Sequence, residues 1–142
     1  MYKQLVRPLL EYGSTVWSPW HKKDIEALEK AQNRCLRLCN DMVIECESLE
    51  DRRMYIDLCE TYKYLHGHYK TSSETLFSHP SKTLRGHSLK ISKAFSKTNT
   101  RKFFFPNRVC DRWNELSEDV VTAPTLATFK KRLRSLPNGQ KG

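Results

Sequence analysis

Apolar positions recur with a helical period through most of the chain. Residues 22–40 show this most clearly, because their apolar side chains repeat every three or four positions and define one face of an amphipathic helix. That stripe consists of Ile25, Leu28, Ala31, Cys35, Leu38 and Met42. A shorter helix is predicted over 2–12, where Leu5, Leu9 and Tyr12 share a stripe and an internal proline introduces a kink.

Capping residues mark the starts of two further helices. Ser48, followed three residues later by Asp51, resembles a capping box and predicts a helix over 49–66. Thr125 is a suitable N-cap for a last helix. The apolar stripe of that helix would consist of Leu126, Phe129, Leu133 and Leu136. The Pro-Asn-Gly sequence at 137–139 would end it.

A short helix is also predicted behind a proline in the second half of the chain. Its face is formed by Phe105, Val109, Trp113 and Leu116, at spacings of four, four and three. The predicted fold is therefore mainly α, a small irregular domain of about five helices with a basic extended segment at 82–103. Within that segment, 84–91 alternates weakly like a strand, and 95–101 is expected to be mobile until something binds it.

Charge divides the chain into two parts. Residues 1–70 carry 11 Lys and Arg against 11 Asp and Glu, whereas residues 71–142 carry 14 against 5. The net charge of +9 therefore lies in the second part, and we predict a charge-balanced helical part at 1–70 and a basic part at 71–142. Such asymmetry favours a polyanionic partner, and a merely solvated basic surface is the alternative.

The stretch 101–116 combines cations with aromatic rings. Two cations precede three consecutive phenylalanines, and Arg108 and Arg112 flank the face of the helix that follows. Cations beside exposed rings are typical of nucleic-acid interfaces, where phosphates are neutralised and bases stack. The alternative is that the rings belong to the core, as large apolar side chains usually do.

The cysteines indicate neither a disulfide framework nor a metal site. Their number is odd and no export signal precedes them, so reduced thiols are expected. The five are Cys35, Cys39, Cys46, Cys59 and Cys110. The spacing of the first two relative to His66 and His68 matches no zinc finger, so buried thiols are favoured over a metal.

Five stretches, taken in order, carry a resemblance to a known family. They are 2–13 (YKQLVRPLLEYG) with 16–19 (VWSP), 22–32 (KKDIEALEKAQ), 48–53 (SLEDRR) with 62–67 (YKYLHG), 85–89 (RGHSL), and 104–109 (FFPNRV) with 113–116 (WNEL) and 129–133 (FKKRL). Together they resemble the C-terminal region of the reverse transcriptases of non-LTR, LINE-type (jockey-like) retrotransposons. That family usually has a further helix where this chain has only 41–47, and its absence would leave apolar surface uncovered.

The resemblance implies a position C-terminal to the palm and thumb of an RNA-directed DNA polymerase, which are missing from this chain. In that family the metal-binding carboxylates lie upstream, in an aromatic-x-Asp-Asp turn, and this sequence contains no Asp-Asp pair. Two Mg²⁺ ions need such carboxylates on a rigid platform. We therefore expect no catalytic residue, no cofactor and no polymerase activity from this chain alone, and a truncated element copy or a host gene derived from one.

The leading hypothesis is a non-catalytic fragment that binds RNA or DNA non-specifically. Cations of the second half would neutralise phosphates, and Phe103 or Phe104 would stack a base. The predicted interface consists of Lys90, Lys93, Lys97, Arg101, Lys102, Phe103, Phe104, Arg108 and Arg112. His87, next to Arg85, is interpreted as a loop histidine rather than a phosphate contact.

The alternative hypothesis is a host-derived protein-interaction or structural module, which would dock a partner or self-associate through exposed helix faces. A relic without a role is the third. No apolar run approaches the roughly 18 residues of a membrane span, and no signal peptide is recognisable. A nuclear or cytoplasmic location without membrane contact or secretion is therefore expected.

Overall fold

The structure is a computed structural model and describes residues 2–39, 47–80 and 85–136. In these ranges it has nine α-helices, one 3₁₀ turn and no β-strand, with one isolated bridge between Ser78 and Ser92. The helices are α1 (Tyr2–Leu5), α2 (Arg7–Glu11), α3 (Ser14–Trp17), α4 (Lys22–Leu38), α5 (Leu49–Leu65), α6 (Asn99–Lys102), α7 (Phe105–Glu115), α8 (Glu118–Val121) and α9 (Leu126–Ser135). The predicted mainly α fold is confirmed.

The four longer helices lie where the hydrophobic period predicts them, and the differences are confined to single turns. The predicted helix over 2–12 is broken into α1 and α2, because Pro8 enters the first turn of α2 and cannot donate a backbone hydrogen bond. Gly13, with a φ of 65°, then separates α2 from α3. Four predicted features lie outside the described residues: Met42, Cys46, Leu84 and the Pro-Asn-Gly at 137–139.

By its contacts the chain divides into two compact units, Met1–Met54 (unit 1) and Tyr55–Gly142 (unit 2). The division falls inside α5. The division predicted at 70/71 describes charge rather than contacts, so it stays a prediction.

Polar side chains hold unit 1 together. The hydroxyl of the buried Tyr2 donates to Oε1 of Gln32 at 2.5 Å, and Nε2 of Gln32 donates to the carbonyl oxygen of Glu47 at 3.4 Å. Glu29 of α4 accepts hydrogen bonds from the first two amides of α5, at 2.7 and 3.3 Å. A carboxylate at this position satisfies amides that an α-helix leaves unpaired and complements the helix dipole.

The predicted cap of α5 is present in modified form. The Ser48 hydroxyl accepts from the Asp51 amide at 3.0 Å and donates to the Asp51 carboxylate at 2.7 Å. In a full capping box the acidic side chain would instead accept from the backbone amide of the cap residue. One turn further on, both Nε and Nη2 of Arg52 donate to the carboxylate of Glu11, which joins α5 to α2 within unit 1.

Unit 1 leaves much of its apolar side-chain surface exposed. Gln32 is the one buried residue of α4, so the predicted apolar stripe of that helix does not form a buried core face. Leu38 of that stripe is 78% exposed. The amide of Gln32 is buried because it has hydrogen-bond partners there, whereas Ile25, Leu28 and Ala31 of the stripe are half-buried.

Unit 2 has an aromatic core. The ring of Tyr62 lies between His66 and Phe129, with centroid distances of 3.9 and 4.5 Å, and its hydroxyl donates to the carbonyl oxygen of Ala123. The predicted apolar face of α7 is confirmed, since Phe105, Val109, Trp113 and Leu116 are all buried. The α9 face is confirmed at its centre, where Phe129 and Leu133 are buried.

The loop 85–89 packs against this core through backbone groups. Nε1 of Trp113 donates to the carbonyl oxygen of Leu89 at 2.7 Å, and Nε2 of His87 lies 2.9 Å from the carbonyl oxygen of Trp113. His87 is buried, which confirms its interpretation as a loop histidine. Both the amide and the hydroxyl of Ser88 donate to Glu118, and these bonds lower the pKa of that carboxyl.

A buried ion pair joins α5 to α7 within unit 2. The Arg108 guanidinium donates from Nε and Nη2 to the two carboxylate oxygens of Asp57, at 2.8 and 3.1 Å. The side chains are 13% and 1% exposed. Nη1 of Arg108 donates to the carbonyl oxygen of Phe103 at 3.1 Å, so the same guanidinium also holds the end of α6.

We expect Asp57→Ala to lower the free energy of unfolding by about 3–5 kcal/mol, because it leaves the Arg108 charge buried without its carboxylate. Urea denaturation followed by circular dichroism measures this. The control is Asp111→Ala, which removes the exposed pair with Lys93 (side chains 67% and 51% exposed) and should cost less than about 1 kcal/mol. Equal losses in both variants would contradict the structural role of the buried pair.

Candidate nucleic-acid interface

Two asparagines of α7 hold the extended segment 91–94. Oδ1 of Asn114 accepts from the amide of Ile91 at 3.1 Å, and its Nδ2 donates to the carbonyl oxygen of Ile91 at 2.8 Å. Asn107 does the same at Ala94, with distances of 2.8 and 3.2 Å. Each side-chain amide therefore satisfies both backbone groups of one residue, as a neighbouring β-strand would.

The spacing of the two asparagines matches the spacing of their targets. Seven residues of α-helix rise about 10.5 Å, and three residues of extended chain span about 10 Å. Cys110 lies between the asparagines, and its Sγ lies 3.3 Å from the carbonyl oxygen of Ile91 as a third contact. Burial raises the pKa of this thiol, which keeps it protonated as a weak donor.

Asn107 also closes a loop. Its Nδ2 donates to the carbonyl oxygen of Arg101 at 3.0 Å as well as to Ala94, so one side chain holds both ends of 94–101. We call residues 93–102 the basic arch, because they contain four cations and no acidic residue. Thr98 caps α6 inside the arch by accepting from the amide of Arg101 at 3.4 Å. The segment expected to be mobile is therefore anchored at its ends and contains a helical turn.

An open cleft of about 700 Å³ lies beside the basic arch. It is lined by Lys93, Ala94, Phe95, Ser96, Lys102, Phe103, Asn107, Arg108 and Asp111. Nζ of Lys102 lies over the ring of Phe103, 5.5 Å from its centroid. The Phe95 ring is 84% exposed. The cleft thus brings cations and aromatic rings together in one place.

The predicted cations fall into two groups. Lys97, Arg101 and Lys102 are exposed, and in the described part of the chain the structure gives them no ion pair. The other four have intramolecular partners. These pairs are Lys90 Nζ with the carbonyl oxygen of Arg85, Lys93 with Asp111 at 2.6 Å, Arg112 with Glu115 at 3.5 Å, and Arg108 with Asp57.

The three consecutive phenylalanines have three different environments. Phe105 is buried in the core, Phe103 is half-buried and Phe104 is 47% exposed. The most exposed phenylalanine, Phe95, was not among the predicted interface residues. The available signal was its surroundings, since Phe95 is the one large apolar side chain within the polar and cationic run 92–102.

The remaining side chains offer little other chemistry. Burial raises the pKa of the Cys59 thiol, as it does for Cys110, while Cys35 and Cys39 are half-buried. Across residues 2–39, 47–80 and 85–136, no three His, Cys, Asp or Glu side chains are grouped so that they could hold a metal ion. Among the same residues, no helix is long and apolar enough to cross a bilayer.

Comparison with known proteins adds no assignment: no protein-family model, curated protein or solved structure matches this chain significantly. The resemblance to a retrotransposon reverse transcriptase therefore stays a prediction.

We expect Asn107→Leu to release the basic arch, because it leaves the amide of Ala94 and two carbonyl oxygens without their partner. Hydrogen–deuterium exchange should accelerate in peptides covering 92–102, with a stability loss of about 1–3 kcal/mol. Asn99→Ala, an exposed change inside the arch, is the control and should leave exchange in the flanking residues unaltered. Unchanged exchange in Asn107→Leu would show that the arch is held by other contacts.

Proposed function

We propose that this chain binds RNA or DNA non-specifically through the basic arch and catalyses no reaction by itself. The observation that supports this most directly is the grouping of Lys97, Arg101 and Lys102 on one anchored loop, exposed and without an ion pair in the described residues. Binding to such a site is driven by release of counterions from the phosphates.

Intramolecular pairing decides which predicted cations belong to this site. Lys97, Arg101 and Lys102 can meet phosphates at little cost, since they are exposed and pair with no carboxylate among residues 2–39, 47–80 and 85–136. Lys93 would first have to leave Asp111 at 2.6 Å, and we assign it a secondary role. Arg108 is left out of the proposed set because its guanidinium is occupied by Asp57 and by the carbonyl oxygen of Phe103.

We further propose that the chain derives from the C-terminal region of a non-LTR retrotransposon reverse transcriptase. The motifs that carry the resemblance support this, and so does the exposed apolar surface of unit 1. A surface of that kind is what the loss of a covering helix would leave. The absence of an Asp-Asp pair supports a binding role rather than polymerisation.

We expect the triple change Lys97→Glu/Arg101→Glu/Lys102→Glu to remove most of the salt-sensitive binding. Each phosphate contact on a single strand contributes about 0.7 to the log–log salt slope, so loss of three contacts should lower the slope by about 2. Fluorescence anisotropy of labelled 12-nucleotide RNA and DNA between low and moderate salt measures this.

The matched control is Lys23→Glu/Lys30→Glu/Arg34→Glu on α4, which changes the net charge equally at three exposed positions of unit 1. It should keep most of the slope. If both triples weaken binding equally, only net charge matters and the arch is not a site. Binding that is independent of salt in the unaltered protein would refute the proposed function.

A second candidate function is self-association through unit 1. Leu5, Leu9, Tyr12 and Val16 are 60%, 78%, 85% and 78% exposed, which is unusual for large apolar side chains clustered in sequence. Among the exposed residues of 2–20, Lys3 is the single charged one. A surface with so little charge can face a second copy of itself without repulsion, so a second copy is the partner we propose.

We expect the average mass in sedimentation velocity to rise with protein concentration, because apolar side chains leave water at the contact. Leu9→Glu/Val16→Glu should hold the protein monomeric by placing like charges there. Lys23→Glu/Lys30→Glu is the control for added negative charge and should not change the association. A monomer at every concentration would rule this candidate out.

A further inference from the structure

The position of Phe95 is fixed by its neighbour. Ala94 is held through both its amide and its carbonyl oxygen by Asn107, so the backbone that carries Phe95 is anchored immediately before the ring. Despite this anchoring the ring is 84% exposed. A ring of this size gains substantially from leaving water, so an anchored segment that presents it to solvent is suited to a planar partner.

The open cleft next to Phe95 is large enough to receive a nucleobase. Its volume of about 700 Å³ lies within the usual range for ligand pockets. Phe95 and Phe103 both line it, and Lys102 lies over the Phe103 ring, so apolar and cationic atoms meet there. A nucleobase has a flat apolar face and polar edges, and it fits such a lining.

Charge separates the position of the base from that of the phosphates. Two of the three cations that line the cleft are already paired, Lys93 with Asp111 at 2.6 Å and Arg108 with Asp57 at 2.8 Å. A phosphate inside the cleft would have to compete with these carboxylates, whereas an uncharged base would not. Lys97 and Arg101, which are exposed and do not line the cleft, are placed for the flanking phosphates. The arch can therefore bind the backbone of a strand while the cleft takes a base.

We infer that the cleft beside the basic arch receives one unstacked base on the ring of Phe95, so that the ligand is single-stranded RNA or DNA rather than a duplex. This inference rests on the proposed function and adds the class of nucleic acid to it. In a duplex both faces of each base are covered by its neighbours, and exposing one means unpairing and unstacking it first. Phe95 therefore makes the site prefer a single strand over a duplex, whereas the cations bind the phosphates of both.

The test compares Phe95→Ala with the unaltered protein on a 12-nucleotide oligo-dT and on a mixed-sequence 12-base-pair duplex. Stacking on one aromatic side chain is worth enough that its loss should weaken single-strand binding about 5- to 150-fold. Duplex binding should stay within about twofold, and the salt slope should not change because no phosphate contact is lost. Phe95→Trp should restore single-strand affinity, which a merely steric role would not predict.

Phe104→Ala is the matched control, since Phe104 is an exposed ring that does not line the cleft, and it should weaken binding less than Phe95→Ala. Single-strand affinity unchanged in Phe95→Ala, or lost equally for strand and duplex, would overturn the inference. The proposed function would then still stand if the Lys97/Arg101/Lys102 triple lowered the salt slope. If no variant changed either the affinity or the salt slope, both the inference and the proposed function would be refuted.

Discussion

The side-chain amide of Asn107 holds two backbone segments at once. Its oxygen accepts from the amide of Ala94, and its nitrogen donates to the carbonyl oxygens of Ala94 and Arg101. The neighbouring side chain, Arg108, donates to Asp57 and to the carbonyl oxygen of Phe103. Two consecutive residues of α7 thus fix where the basic arch begins and ends. The grouping of exposed cations and the orientation of the cleft both depend on these contacts.

The two units reach their structures by different means. Unit 2 buries an aromatic core around Tyr62, Trp113 and Phe129, and it can present Phe95 to solvent because other side chains supply its stability. In unit 1 the described buried residues include Ser14, Ser18, Gln32 and Arg53, while several large apolar side chains are exposed. Exposed apolar side chains of this kind are typical of protein–protein contacts, whereas the basic arch of unit 2 is suited to an anionic ligand.

Hydrophobic periodicity predicted the four longer helices and the buried face of α7, because that face packs against other apolar side chains of unit 2. The same reasoning predicted α4 as well, but the apolar stripe of that helix is only partly buried. A periodic stripe shows that a helix has an apolar face, but not that the chain provides a surface to cover it. Gln32 of the same helix is buried because its side-chain amide has hydrogen-bond partners there. For the helix over 2–12, Pro8 predicted a kink, but it did not predict that a new helix begins there.

The candidate site was less predictable, because its pattern depends on contacts far apart in sequence. Nothing local distinguishes Arg108, whose carboxylate partner lies 51 residues away, from an exposed cation such as Lys97. The roles of Asn107 and Asn114 are equally invisible in the sequence, because they depend on the backbone groups of 91–94 that these side chains contact. Composition shows that the second half of the chain is basic, but the division of its cations into paired and exposed groups required the three-dimensional arrangement.

Mapping a short single strand onto the protein by NMR tests the proposed interface most directly. In a ¹H–¹⁵N correlation spectrum titrated with oligo-dT, we expect the shifts to concentrate in the amides of 93–104 and in the side-chain NH₂ of Asn107, with α4 unaffected. Shifts confined to unit 1, or spread over every exposed cation of the chain alike, would contradict a site built on the arch.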